Sequence, residues 1–304
     1  LLAFFKRVVA IIPAMEQNFK KIALVGKHNS TSISGYMLRL ATFLQDKGYE
    51  VILSTPTADF CHLTDLPCAP LAEIADRIDL AIVMGGDGTM LNIARSLVDH
   101  RVPLIGVNQG RLGFLADVSV DTMFTTLDEM LAGQYVEENR IMLDCSLERD
   151  GDLQFHMYAF NDIVVSKGSL GRLIEFEVYI DNKFVYSQRA DGLVLASPTG
   201  STAYALSAGG PILHPTLDAF VLAPICPHTL SARPIAVNGH SEIEVNLIHA
   251  DDARVHFDGQ DHRDMVVGDR VVVQRARHNV RLLQPMDHNY YDTLRQKLHW
   301  GEKL

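Results

Sequence analysis

Residues 80–90 read LAIVMGGDGTM, five consecutive apolar residues that run straight into three glycines, a carboxylate and a hydroxyl. An unbroken apolar run closed by a turn signal reads as a strand covered on both faces, the habit of parallel sheets. The residues that follow, TMLNIARSLVDH, repeat their apolar positions at helical spacing, so the stretch is strand, glycine turn and helix, with the helix starting near Thr89. Such a turn presents free backbone N–H groups and the positive end of a helix to an anion, and glycine lets a phosphate approach the main chain. It is neither a P-loop, since no Gly-Lys-Ser/Thr follows, nor a G-x-G-x-x-G turn. Asp87 would repel a phosphate unless it handles a cation or a proton. The plain alternative is an ordinary Asp-Gly turn with Thr89 as the helix cap.

Outward from this stretch the alternation continues. KKIALVG, the helical SGYMLRLATFLQDKG and YEVILST precede it; after a loop comes LAEIADRI, and VPLIGVN and the helical VDTMFTTLDEMLAG follow. Alternating strands and helices predict an α/β domain with a parallel sheet over residues 15–140. Beyond it the runs turn β-branched and lie between turn signals, as in LERDGDLQF and YIDNKFVY, which predicts an antiparallel all-β domain over residues 141–280. The last segment, 281–304, ends in the helical YYDTLRQKLHW, whose Leu294, Leu298 and Trp300 need cover. Residues 1–14 are apolar but interrupted by Lys6, Arg7 and Pro13; they are expected to lie outside the fold, as a non-native or disordered extension ahead of Met15.

A net charge of −10 over 304 residues argues against a nucleic-acid or anionic-membrane partner, both of which call for a basic surface. Small-molecule substrates are the better expectation. Cys61, Cys68, Cys145 and Cys226 are scattered without a C-x-x-C pair, which suits a reducing cytoplasm, and the thirteen histidines show no metal-ligand spacing, so no protein-held metal is expected.

Two further stretches carry chemistry. In ADGLVLASPTGSTAYALSAGGPILHP an apolar strand runs into a dense cluster of hydroxyls and glycines; Tyr204 and Leu206 make it an ordered loop able to offer hydrogen bonds to a polar ligand rather than a linker. In AFNDIVVSKG, Asn161 and Asp162 precede a β-run, where they form either a turn or an amide and carboxylate pair that reads a nucleobase or ribose.

GGDGT, Asn161-Asp162, DGLVLASPTGSTAYALSAGGP, PICPHTLSARP and FDGQ, in this order, resemble the NAD kinase family from about residue 20 to the C-terminus. The hydroxyl-rich stretch is the specific part, because GGDGT turns also occur in lipid kinases and phosphofructokinases. The resemblance implies the NAD kinase/diacylglycerol kinase-like fold, a Rossmann-like α/β N-terminal domain followed by an all-β, β-sandwich-like domain, with the terminal segment returning to the first domain. It implies transfer of the ATP γ-phosphate to the adenosine-ribose 2′-hydroxyl of NAD, with Mg²⁺ arriving on ATP. By motif position it makes Asp87 the proton acceptor and gives the nucleotide Gly85, Gly86, Gly88, Asn161, Asp162, Arg172, Arg189, Asp191, Thr202, Ala203, Tyr204, Ala205, Leu206, Ser207 and Gln260. Family members often carry Asn-Glu where this chain has Asn161-Asp162. A homo-oligomer, dimer or tetramer, is expected. The rival readings are a GGDGT-type lipid kinase and a non-catalytic NAD(P)-binding regulator; the first needs a membrane-facing surface that the sequence does not display, and retention of Asp87 counts against the second.

Overall fold

In the computed structural model, which describes residues 19–27, 33–63, 65–110, 113–169 and 172–299, every residue of LAIVM is buried. The expectations for residues 1–14 and for Trp300 fall outside these residues. The chain begins with β1 (Lys21–Gly26), α1 (Ser34–Asp46), β2 (Glu50–Ser54), α2 (Thr55–Cys61), β3 (Cys68–Ala69), α3 (Leu71–Ile74) and β4 (Leu80–Met84). It continues through α4 (Asp87–Leu97), β5 (Leu104–Asn108), β6 (Val118–Ser119), α5 (Met123–Leu131) and β7 (Tyr135–Arg140).

β1 to β5 form a parallel sheet in the order β3-β2-β1-β4-β5, with β4 flanked by β1 and β5. Side chains alternate across it: Ile22, Leu24 and Ile82 meet α1, α2 and α5, while Ala23, Val25, Ala81 and Val83 meet α3 and α4. Helices on both faces explain why β4 shows no polar alternation. α1 buries Met37, Leu40, Ala41 and Leu44, one stripe at helical spacing. Sequence reading takes the residues after YEVILST, 56–70, for a loop, whereas α2 forms at its start: Pro56 in its first turn gives up no needed hydrogen bond, and His62 ends it in the left-handed conformation.

The second half comprises β8 (Leu143–Arg149), β9 (Asp152–Ala159), β10 (Asp162–Lys167), β11 (Ile174–Ile180), β12 (Lys183–Ala190), β13 (Gly192–Ala196), α6 (Tyr204–Ser207) and β14 (Ala219–Ile225). β15 (Ile235–Asn238), β16 (Ile243–His249), β17 (Ala253–Phe257), β18 (Asp261–Met265), β19 (Arg270–Arg275), β20 (Val280–Pro285) and α7 (Tyr290–Leu298) complete it. Two antiparallel sheets, β15-β14-β13-β10-β17-β18 and β12-β11-β16-β19-β8-β9, enclose one core of alternating residues such as Ile163, Val165, Phe176, Val245 and Val273. The turns at Asp150-Gly151 and Asp181-Asn182 have positive φ at both central residues, as tight hairpins require.

β20 leaves the sandwich and pairs with β5 and β7 in the first sheet. α7 follows, with Tyr290 and Leu294 buried and Leu298 half-buried. Asn289 caps it by accepting from the Tyr291 N–H. Met142, Phe160 and Ala276 share a core with α4, so this helix lies between the sheet and the sandwich.

Candidate active site

β4 delivers Gly85 into the turn, where its N–H donates to the Val107 carbonyl at 2.9 Å. A Cβ on Gly85 would stand 2.6 Å from Thr89 Oγ1, while one on Gly86 would meet nothing within 4 Å, so that backbone is open to a ligand. The helix starts at Asp87, two residues earlier than its sequence suggests, with Gly86 rather than Thr89 at the cap. A carboxylate in the first turn complements the helix dipole. Its two oxygens are also held from outside: Oδ2 accepts from the Phe114 N–H and Oδ1 from the Leu115 N–H, both at 3.0 Å. Gly113 makes room for this arrangement, since a Cβ there would lie 2.1 Å from Asp87 Oδ1.

The FDGQ turn ties this helix to the sandwich. Gln260 Nε2 donates to the Gly88 carbonyl at 2.7 Å, and its Oε1 accepts from Arg95 Nη2 at 2.9 Å, an arrangement that fixes the amide orientation. Arg95 also faces Asp258 at 3.7 Å and Asp261 at 3.1 Å. Asp258, its side chain fully buried and its backbone at φ +51°, accepts from three consecutive amides, Phe160 at 2.9 Å, Asn161 at 2.7 Å and Asp162 at 3.2 Å. The turn thus sets the Asn161-Asp162 junction and the GGDGT helix in one frame. Burial, and then the charge of Asp258, push the Asp162 carboxyl up to about 7, opposed by a hydrogen bond from the Tyr204 N–H.

The hydroxyl-rich loop is ordered by its own hydroxyls. Ser197 Oγ donates to the Phe160 carbonyl at 2.5 Å, and Ser201 Oγ donates to Pro198 O at 2.7 Å and accepts from the Leu213 N–H at 2.9 Å. Gly200 passes so close to Asn161 that a Cβ would sit 2.0 Å from the Asn161 carbonyl oxygen. Ser197 and Ser201 are therefore spent on the fold, contrary to the expectation that the loop's hydroxyls serve a ligand. Thr202 is half-buried and bonded to the Thr199 carbonyl. Ala205 is buried, Ala203 and Leu206 half-buried, and Ser207 and the Tyr204 ring exposed.

Arg172, Arg189 and Asp191 lie elsewhere. Asp162 opens β10 and Lys167 closes it, about 16 Å along the strand. At that far end Lys167 pairs with Asp191 at 2.7 Å. Arg172 faces Asp251 at 3.3 Å and Arg189 faces Glu175 at 3.9 Å, both largely exposed. Within one chain these three do not join the cluster around Asp87.

Sequence reading did not find a charged chain behind the site. Asp117, just beyond the loop that holds Asp87, meets His288 Nδ1 at 2.6 Å, and His288 Nε2 faces Glu138 at 3.5 Å. Glu138 accepts from Arg140 at 2.5 Å, and Arg140 Nη1 donates to Thr199 Oγ1 at 3.4 Å, at the start of the hydroxyl-rich loop. Burial opposes the charge on His288, but Asp117 and Glu138 raise it to about 9; burial likewise opposes the Glu138 charge, yet His288 and Arg140 hold its carboxyl down at about 2. Nothing in the spacing of 117, 138, 140, 199 and 288 signals their meeting. Arg95 and Asp258 carried a faint signal, being close in sequence to Asp87 and Gln260.

Among the described residues no three His, Cys, Asp or Glu side chains gather as a metal cage. Nor, among these residues, is any helix long and apolar enough to cross a membrane.

Residues 22–135 match the model of the ATP-NAD kinase N-terminal domain, and residues 160–284 that of the C-terminal domain. Over 290 residues the chain is 57% identical to the NAD kinase of Thiobacillus denitrificans, covering 95% of this chain and all of that one. The Chromobacterium violaceum NAD kinase is 50% identical with the same coverage. Among solved structures, yeast NADH kinase complexed with NADH superposes with a TM-score of 0.87 at 26% identity, over 95% of this chain and 90% of that one. The Archaeoglobus fulgidus NAD kinase in complex with ATP gives 0.73 at 27% identity, over 92% and 98%.

Proposed function

The chain belongs to the NAD kinase family, whose members move the γ-phosphoryl group of ATP to the adenosine-ribose 2′-hydroxyl of NAD, and we propose that this chain does so with Asp87 as the proton acceptor. The observation that carries the reading is the placing of Asp87: a half-buried carboxylate at a glycine turn, each oxygen fixed by one amide and each keeping a further lone pair free. In the reaction the 2′-hydroxyl gives its proton to Asp87, its oxygen bonds to the γ-phosphorus, and the bond to the β,γ-bridging oxygen breaks, yielding NADP and ADP. Phosphoryl transfer demands positioning and charge neutralisation more than covalent chemistry from the protein. Magnesium enters as part of the ATP substrate and neutralises phosphate charge; the open backbone at Gly86 admits the phosphates, and Gly85 and Gly88 complete the turn around it.

Asn161, Asp162 and the segment from Thr202 to Ser207 take the adenine nucleotide, with the exposed Tyr204 ring as a stacking surface. Gln260 keeps their frame in register with the Asp87 helix. Arg172, Arg189 and Asp191, remote from Asp87 in their own chain, complete the nucleotide pocket of a second copy in a homo-oligomer. A cytoplasmic setting suits the four free cysteines, Cys61, Cys68, Cys145 and Cys226. Incubation with Mg-ATP and NAD, with the product read by an NADP-specific dehydrogenase, tests the activity; absence of NADP formation by folded protein would reject it.

A further inference from the structure

The connection from β19 to β20 carries Arg277, His278 and Asn279 across the seam between the sandwich and the first sheet. With Arg101, Arg275, Arg281 and His240 they line a cavity of about 540 Å³. Such a volume suits a ligand of small-metabolite size. In a chain of net charge −10 this gathering of cations stands out. Two carboxylates answer the four arginines: Asp218 takes Arg275 at 2.6 Å and His240 at 3.0 Å, and Glu137 takes Arg281 through both oxygens at 2.8 Å. The side chains of Arg101 and Arg277, both exposed, have no hydrogen bond or ion pair among the described residues. Guanidinium forks match oxyanions through paired N–H donors, and clustered like charges repel one another until an anion joins them.

We propose that this cavity is a second binding site, separate from the nucleotide site, for a small multivalent oxyanion. Its separateness follows from the topology. Asp87 stands after the C-terminal end of β4, whereas Arg101 stands before the N-terminal end of the parallel neighbour β5. The run of α4 and the turn behind it puts about 20 Å between the two. The ligand bridges the two halves of the chain, with Arg101 contributed by the turn ahead of β5, Arg281 by β20 in the first sheet, Arg275 by β19 and His240 by the turn between β15 and β16. Binding therefore braces the seam.

The test is calorimetric titration with tripolyphosphate, pyrophosphate or citrate, without magnesium, while saturating ADP and NADP occupy the nucleotide site. One binding event per chain is expected, weakened at least tenfold in the Arg101→Ala/Arg277→Ala double variant and less by Arg277→Lys, which keeps the charge but loses the fork. Tighter binding of the polyphosphates assigns a phosphorylated ligand, and tighter binding of citrate a polycarboxylate. The anion should also raise the melting temperature of wild type and not of the double variant, whose kcat without anion should match wild type. No binding event with any of the three anions, or superimposable isotherms for wild type and double variant, would overturn the site.

Discussion

Replacing Asp87 by Asn removes the charge and one acceptor while leaving the shape. In the native protein each carboxylate oxygen accepts one backbone N–H, from Phe114 and Leu115. An amide has a single oxygen, so its NH₂ must face one of those donors and leave it unpaired, at a cost of about 1–3 kcal/mol. Loss of a negative charge from the first turn of α4 adds about 0.3–1 kcal/mol. At about 2–4 °C per kcal/mol for domains approaching this size, the melting temperature should fall by roughly 3–15 °C. The chemical effect is separable: kcat should drop by about 10² to 10⁴ with little change in the KM for NAD, because the lost proton acceptor acts in the transition state. Steady-state kinetics with the coupled NADP assay, run well below the variant's melting temperature, measures it. Gly113→Ala is the companion, since its Cβ would lie 2.1 Å from Asp87 Oδ1 and must displace the carboxylate with its charge intact. That variant should also lose most of its kcat. Near-wild-type kcat in folded Asp87→Asn protein would refute the proton-acceptor role and leave Asp87 as a loop anchor.

The Asp162 carboxyl is pushed up to about 7, so its proton is held more tightly in the folded chain than in the unfolded one. The resulting stability is complete below about pH 4 and is lost as pH rises to 7. Asp162→Asn should flatten that decline in melting temperature, and parallel curves for the two proteins would refute it. For His288, raised to about 9, the cationic form contributes stability that is complete below about pH 6.5 and lost as pH rises through 9; His288→Gln should be less stable at pH 7 and lack that alkaline loss, as thermal melts between pH 6 and 10 would show. Tyr204→Ala should weaken NAD binding by about 1–3 kcal/mol, the range for a ring stacked on a base, with little change in stability; unchanged affinity by calorimetry counts against stacking. Mixing the inactive Asp87→Asn chain with an impaired Arg189→Ala/Asp191→Ala chain should restore activity above either alone, because mixed oligomers contain some sites with neither change. No recovery after subunit exchange would place those residues outside a shared site.

The sequence alone determined the local choices. LAIVM, with no polar alternation and closed by a glycine turn, reads as a strand covered on both sides, and Asp150-Gly151 and Asp181-Asn182 could close hairpins because Gly, Asp and Asn tolerate positive φ. The order of the motifs identified the chemistry, since Asp87, Asn161, Asp162, the hydroxyl-rich stretch and Gln260 each sit in a short, readable segment. The start of α4 and the existence of α2 escaped because single residues, Gly86 and Pro56, admit both readings until packing chooses. Only the tertiary structure decided which groups meet. It spent Ser197 and Ser201 on the loop itself, gave Asp258 the three amides of residues 160–162, and carried Arg172, Arg189 and Asp191 to the far end of β10. It also drew Asp117, Glu138, Arg140 and His288 into one chain across 171 residues of sequence. Backbone propensity and patterning act over a few residues and are written locally; burial and charge pairing act through space, and so are settled only when the sheets close.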